Sequence, residues 1–178
     1  MLKSADRLTL LEALLHDCRK AFPNLNFQLR LDFAIINAQA FGLADKRTVA
    51  IYGGLGLNPK IGADALTFIA LHEAGHHLAK GCRSKRDPSL ACECASDRWA
   101  ITSGKETLLA KTGRRLGLRV ALEELDQIMG LGQSAKPRYT EKPSTCGCWA
   151  AGWSSRRHAL VKRARPPTCE GHCITYVL

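Results

Sequence analysis

At 178 residues, 46% of them hydrophobic and 24% charged, the chain can bury one good core and a small appendage, but hardly two full domains, and it is too apolar for global disorder. The formal net charge of +10 is unevenly spread, and the basic block over residues 133–178 suggests an anionic partner, with nucleic acid as the first candidate and a merely solubilising tail as the alternative. Eight cysteines without a visible export signal point to metal ligands or reduced thiols before disulfides.

The N-terminal stretch MLKSADRLTLLEALLHDCRK carries Asp6, Arg7 and Glu12 where a secretory peptide needs an unbroken apolar run, so it reads as an amphipathic helix. Leu8, Leu11, Leu14, Leu15 and Cys18 recur at helical spacing over residues 4–21, ending before Pro23. FQLRLDF then alternates as a strand, and TVAIYGGL reads as a second strand closed by its glycines. Asn58 and Pro59 break the chain before a helix that starts near Asp64, runs through ALTFIALHEAGHHLA and stops at Gly81. The polar loop KGCRSKRDPS leads to LACECASDRWAIT, which returns to helical spacing and is expected to end at Gly104. A further helix is expected over much of residues 105–130, with Gly113 and Gly117 weakening its continuity. No segment approaches the roughly 18 consecutive apolar residues of a membrane span, so the expectation is a soluble, cytoplasmic protein.

The chemistry concentrates in ALHEAGHHLAKG. On a helix, His72 and His76 stand one turn apart on one face, so both imidazoles can reach one metal ion. Glu73 is rotated by about 100° from His72 and can hold a water beside the open coordination position. Such a centre hydrolyses amides: Zn²⁺ acidifies the water and polarises the carbonyl, while the glutamate takes the proton and delivers it to the leaving nitrogen. His77 points off this face and reads as a neighbour. A helix that merely contains histidines remains the alternative until a third ligand is found. CECASDRWA offers one, because Glu93 and Asp97 share a face at i, i+4. Glu93 can complete a His₂Glu set, and Asp97 can accept the remaining N–H of a ligating imidazole, His72 first. Cys92 and Cys94 flank Glu93 and cannot share its face, so they and Cys82 read as packed thiols.

The run INAQAFGLADKRTVAIYGGLGLNPKIGADALTFIALHEAGHHLAKG, followed by ECASD, resembles the gluzincin peptidases that include the CAAX prenyl endopeptidases and heat-shock protease X. The resemblance spans roughly residues 35–101 and lacks the transmembrane helices of the membrane members. It implies a zincin-like α+β domain with His72, His76 and Glu93 as zinc ligands, Glu73 as general base and Asp97 as the orienting carboxylate. It also implies an edge strand near Asn37 and Ala38, along which a protein or peptide substrate could add in extended form.

From Gly132 the composition shifts to Pro, Ser, Arg and Cys. The expected division is a metallopeptidase domain over 1–132 and a basic, cysteine-rich tail over 133–178. The tail holds eight Lys or Arg against Glu141 and Glu170. Cys146 and Cys148, then Cys169 and Cys173, form two close pairs that could hold a second, structural zinc as a ribbon, with His172 able to replace one thiolate; unliganded or oxidised cysteines are the alternative. The tail is similar to the ribbon of SprT-like proteases, which also place an Arg-Arg-His run between their cysteine pairs, here Arg156, Arg157 and His158. That likeness implies nucleic-acid contact, with Trp149 or Trp153 stacking on bases or forming the ribbon's own core. The functions to be weighed are therefore a zinc metallopeptidase, a DNA-associated protease acting on DNA-bound protein, and a non-catalytic zinc- or nucleic-acid-binding regulator.

Overall fold

Helix α1 (Ser4–Ala21) forms where the apolar spacing places it, and Leu11, Leu14, Leu15 and Cys18 on one face are at most 1% exposed. Each such leucine contributes about 2 kcal/mol by leaving water. The computed structural model describes residues 4–43, 45–84, 87–128 and 160–161. Cys146, Cys148, Cys169, Cys173 and the 132/133 boundary lie outside the described residues.

Three strands follow: β1 (Asn26–Arg30), β2 (Ala38–Leu43) and β3 (Lys46–Tyr52). Their order in the sheet is β1-β3-β2, with β1 parallel and β2 antiparallel to the central β3. Val49, Ala50 and Ile51 of β3 are fully buried, as expected of a strand with neighbours on both sides. The β2–β3 hairpin closes after the pair Leu43↔Lys46, with Asp45 at φ 63°, a conformation that Asp tolerates better than most side chains.

Two strand expectations need correction. FQLRLDF does not stay extended to Phe33: Arg30 pairs with Tyr52, the last residue of β3, so the ladder offers Leu31 no further partner. Gly53 and Gly54 do more than close β3. They open a short helical turn, α2 (Gly53–Gly56), over which the 31–37 connection crosses from one sheet edge to the other. Gly54 and Leu55 donate their N–H groups to the carbonyls of Phe33 (3.3 Å) and Ile35 (3.2 Å). A Cβ at Gly54 would run into the carbonyls of Ala34 and Ile35, so only glycine admits this crossing.

Helix α3 (Ala63–Leu78) is buried on nearly every side, which is why its sequence shows little amphipathic contrast. It packs on β2 and β3, on α4 (Glu93–Trp99) and on α6 (Leu118–Ile128). Its N-cap, Gly62, has no side chain to offer. Glu124 of α6 serves instead, its Oε2 accepting from Gly62 N (2.9 Å) and Ala65 N (3.3 Å), and its charge opposes the positive helix end. At the other end Ala79 turns extended (φ −68°, ψ 139°), two residues before the expected stop at Gly81, which instead takes φ 112° in the following turn.

Gly104 does not end α4. The helix passes into a π-helical turn (Ala100–Gly104), kinked at Thr102 (φ −118°, ψ −105°), and continues as α5 (Lys105–Thr112). Gly104 is required there because the Trp99 ring lies against it: an added Cβ would stand 2.7 Å from Cζ3. The predicted 105–130 helix is in fact two, broken where Gly113 adopts φ 75° and caps α5. Leu160, from beyond the expected boundary, is 3% exposed and joins the main core. Among the described residues no helix is long and apolar enough to cross a membrane.

Candidate metal centre

Helix α3 brings His72, Glu73 and His76 to one buried place, each at most 8% exposed, and these three could hold a metal ion. Helix α4 approaches so that Asp97 Oδ1 lies 2.8 Å from His72 Nδ1. A carboxylate accepts, so His72 carries its proton on Nδ1. His76 Nδ1 lies 2.7 Å from the carbonyl of Ala91, an acceptor only, which fixes the same tautomer. Both Nε2 atoms therefore present lone pairs, and the two stand 3.1 Å apart.

Glu93 faces the same point. Its Oε2 is 3.3 Å from His72 Nε2 and its Oε1 is 3.5 Å from His76 Nε2. A tetrahedral ion with bonds of about 2.05 Å has ligand-to-ligand edges of about 3.3 Å, so the triangle of 3.1, 3.3 and 3.5 Å has the size of one coordination face. Converging lone pairs and carboxylate oxygens repel one another unless a cation lies among them, and Asp97 (4% exposed) and Glu73 (8% exposed) add buried negative charge. The donor set thus fits a divalent cation.

Both Glu73 and Glu93 are close enough to be considered as the third ligand. Glu73 Oε1 is 4.0 Å from His72 Nε2, beyond a coordination edge, whereas Glu93 matches one to both histidines. The distances favour Glu93 as ligand and leave Glu73 with room for a water. Phe68 stacks on the His72 ring (centroids 6.3 Å apart) and keeps that side apolar.

The centre opens into a cleft of about 640 Å³ whose walls include Ile36, Phe41, Phe68, Leu90, Leu125 and Ile128. Strand β2 runs along it from Ala38 and is an edge of the sheet. Asn37 just precedes the strand, its carbonyl accepting from Tyr52 N (3.1 Å). His77 turns away, and its Nε2 donates to the Thr48 carbonyl (2.9 Å), tying α3 to β3. Burial holds its pKa below the ordinary histidine value.

The expectation of three packed thiols at Cys82, Cys92 and Cys94 is corrected in one member. All three are buried in one cluster, but Cys82 is disulfide-bonded while Cys92 and Cys94 are thiols. Sequence reasoning also missed two parts of the centre. Gly75 lies where α4 crosses: a Cβ there would stand 2.8 Å from Ser96 O and 2.9 Å from Ser96 Cα. Its signal was available, since a glycine inside a helix costs about 1 kcal/mol against alanine and asks for a reason. The Ala91 carbonyl that orients His76 left none.

In comparisons with known proteins, no family model, no curated protein and no solved structure matches the chain.

Proposed function

We propose that the protein is a zincin-like zinc metallopeptidase. The observation that carries this reading is the convergence of His72 Nε2, His76 Nε2 and the Glu93 carboxylate at coordination-edge spacing, with both imidazole tautomers set by Asp97 and Ala91. Two imidazoles and one carboxylate with a position to spare are the ligand set of a catalytic rather than a closed structural zinc. When bound, the ion supplies Lewis acidity, lowering the pKa of a water and polarising a carbonyl.

The chain's own residues do the rest. Glu73 stands next to the ligand His72 yet outside the coordination edge, where its carboxylate can take a proton from a water and return it to a leaving amine. Asp97 holds the His72 ring and its tautomer. The exposed side of β2 offers backbone groups along the cleft, so an extended peptide can add as a further strand and lay its scissile bond before Glu73.

Glu73→Gln tests the reading against that of a regulator that binds metal without turnover. The variant is expected to fold and to retain its zinc, as read by metal analysis, while any peptide hydrolysis shown by the wild type falls by about 10²-fold or more. Purified protein free of zinc, with no uptake on addition, would overturn the metal centre. Equal hydrolysis by wild type and variant would remove Glu73 as the base.

A further inference from the structure

The connection from β1 to β2 leaves four large apolar side chains in water: Leu31 (43% exposed), Phe33 (43%), Ile35 (50%) and Ile36 (58%). It is a built surface. Phe33 packs edge-on against Tyr52 (centroids 5.8 Å apart), and the Arg30 guanidinium lies 4.8 Å from the centroid of the same ring. The carbonyls of Phe33 and Ile35 turn inward to the N–H groups of Gly54 and Leu55, so the outer face offers side chains rather than backbone. Soluble proteins seldom expose such a run without a partner. Ile36 joins this face to the cleft, whose wall it also forms. The two surfaces recognise a chain differently. Tyr52 N donates to Asn37 O, which makes 37/52 a hydrogen-bonded pair of the β2–β3 ladder. By alternation Gln39 and Phe41 also turn to β3, while Ala38, Ala40 and Gly42 turn their N–H and C=O groups to the open edge. A chain laid along that edge is held through its backbone, whatever its sequence. Past Ala38 the backbone partners end and the apolar face begins. The crossing runs from one side of β3 to the other, two strand spacings or about 10 Å, which is the length of about three extended residues.

We propose that the 31–36 crossing is an exosite that takes an apolar run of about three residues in the substrate chain, next to the segment that lies along β2. The inference rests on the peptidase reading and adds the substrate class: polypeptides with an exposed apolar run beside the segment to be cleaved. Covering Phe33, Ile35 and Ile36 removes apolar surface from water, which supplies the selectivity that a backbone edge lacks. A lipid surface fits this face less well. Asp32, its side chain 62% exposed, stands within the run and pairs with Arg30 at 3.3 Å, and a carboxylate resists entry into hydrocarbon. Beside a bound peptide the same pair stays in water at the border of the apolar side chains.

The test uses the full chain carrying Glu73→Gln, so that binding is read without turnover. The probes are a fluorescein-labelled polar peptide of Ser, Thr and Gln and the same peptide with Leu-Phe-Leu appended at one end or the other. Fluorescence anisotropy is expected to show affinity at least about 10-fold higher for one of the appended peptides, the gain from covering little more than one apolar side chain. Phe33→Ser combined with Ile35→Ser should remove that gain. A benzophenone in place of the appended Phe supplies a second measurement that needs neither of these substitutions: its cross-link should fall in the tryptic peptide 31–46. Equal affinities for the three peptides, a gain that survives the double substitution, or a cross-link confined to other peptides would overturn the proposal. So would sedimentation showing a dimer that the double substitution makes monomeric, because the face would then belong to a second copy. A protein that gains affinity and cross-links at 31–46 but whose wild type hydrolyses no peptide would fail the peptidase reading alone, whereas hydrolysis without the gain would fail the exosite alone.

Discussion

Gly75→Ala adds one carbon at the tightest point between the two helices that build the centre. The new Cβ would stand 2.9 Å from Ser96 Cα and 2.8 Å from Ser96 O. Carbon atoms pack comfortably at about 3.5 Å or more, so α4 must retreat by about 0.6 Å. Both atoms belong to the Ser96 backbone, so no side chain can turn away to absorb the shift. Overpacking of this kind costs about 1–3 kcal/mol, while alanine in place of glycine returns about 1 kcal/mol of helix propensity. The metal-free protein should therefore lose no more than about 2 kcal/mol and remain folded. The proposed metal centre is less tolerant. Glu93 lies one turn before Ser96 on α4, and its distances of 3.3 and 3.5 Å to the two histidines would open by a similar amount. Metal–ligand distances tolerate about 0.2 Å. Zinc affinity should fall about 10- to 100-fold, a loss of the size that disturbed supporting contacts produce, with the thermal midpoint of the metal-free form shifted only a few degrees. Chelator competition and paired melting curves with and without zinc measure the two effects separately. Wild-type zinc affinity in a folded Gly75→Ala protein would refute the claim that this contact places Glu93.

The remaining predictions use the same separation of fold from site. Asp97→Ala removes the acceptor of the His72 Nδ1 proton at 2.8 Å, and zinc affinity is expected to drop about 10- to 100-fold by chelator competition. Glu124→Ala leaves the N–H groups of Gly62 and Ala65 without their carboxylate and should destabilise the protein by about 1 kcal/mol in denaturant titration, with zinc affinity unchanged because the α3 N-terminus is more than two turns from His72. Cys18 is fully buried and its thiol is pushed up to about 12 by desolvation, so it should resist alkylation at pH 8 in the native protein and react after unfolding; rapid native labelling found by mass spectrometry would contradict its burial.

What the sequence made legible follows the range of the interactions concerned. Periodicity placed α1 over residues 4–21, because eighteen residues with one apolar face report their own burial. The two segments that carry the proposed centre were legible for a similar reason: i, i+4 spacing on a helix determines which side chains share a face, so His72 with His76 and Glu93 with Asp97 could be paired before any fold was known. That the two pairs meet is a tertiary fact, and only the chemistry of an incomplete ligand set hinted at it. Two of the misplaced ends share one cause. Gly53, Gly54 and Gly104 read as stops because glycine weakens helices and strands, yet each is present to let a carbonyl or the Trp99 ring come close. Gly75 is the same case inside the motif. From sequence it is a helix weakener between two metal ligands. In the fold it is the surface against which α4 stops, and the distance at which α4 stops decides whether Glu93 closes the coordination face. A motif search reads the residues proposed to hold the ion, but the contact that spaces them is made by a residue with no side chain at all.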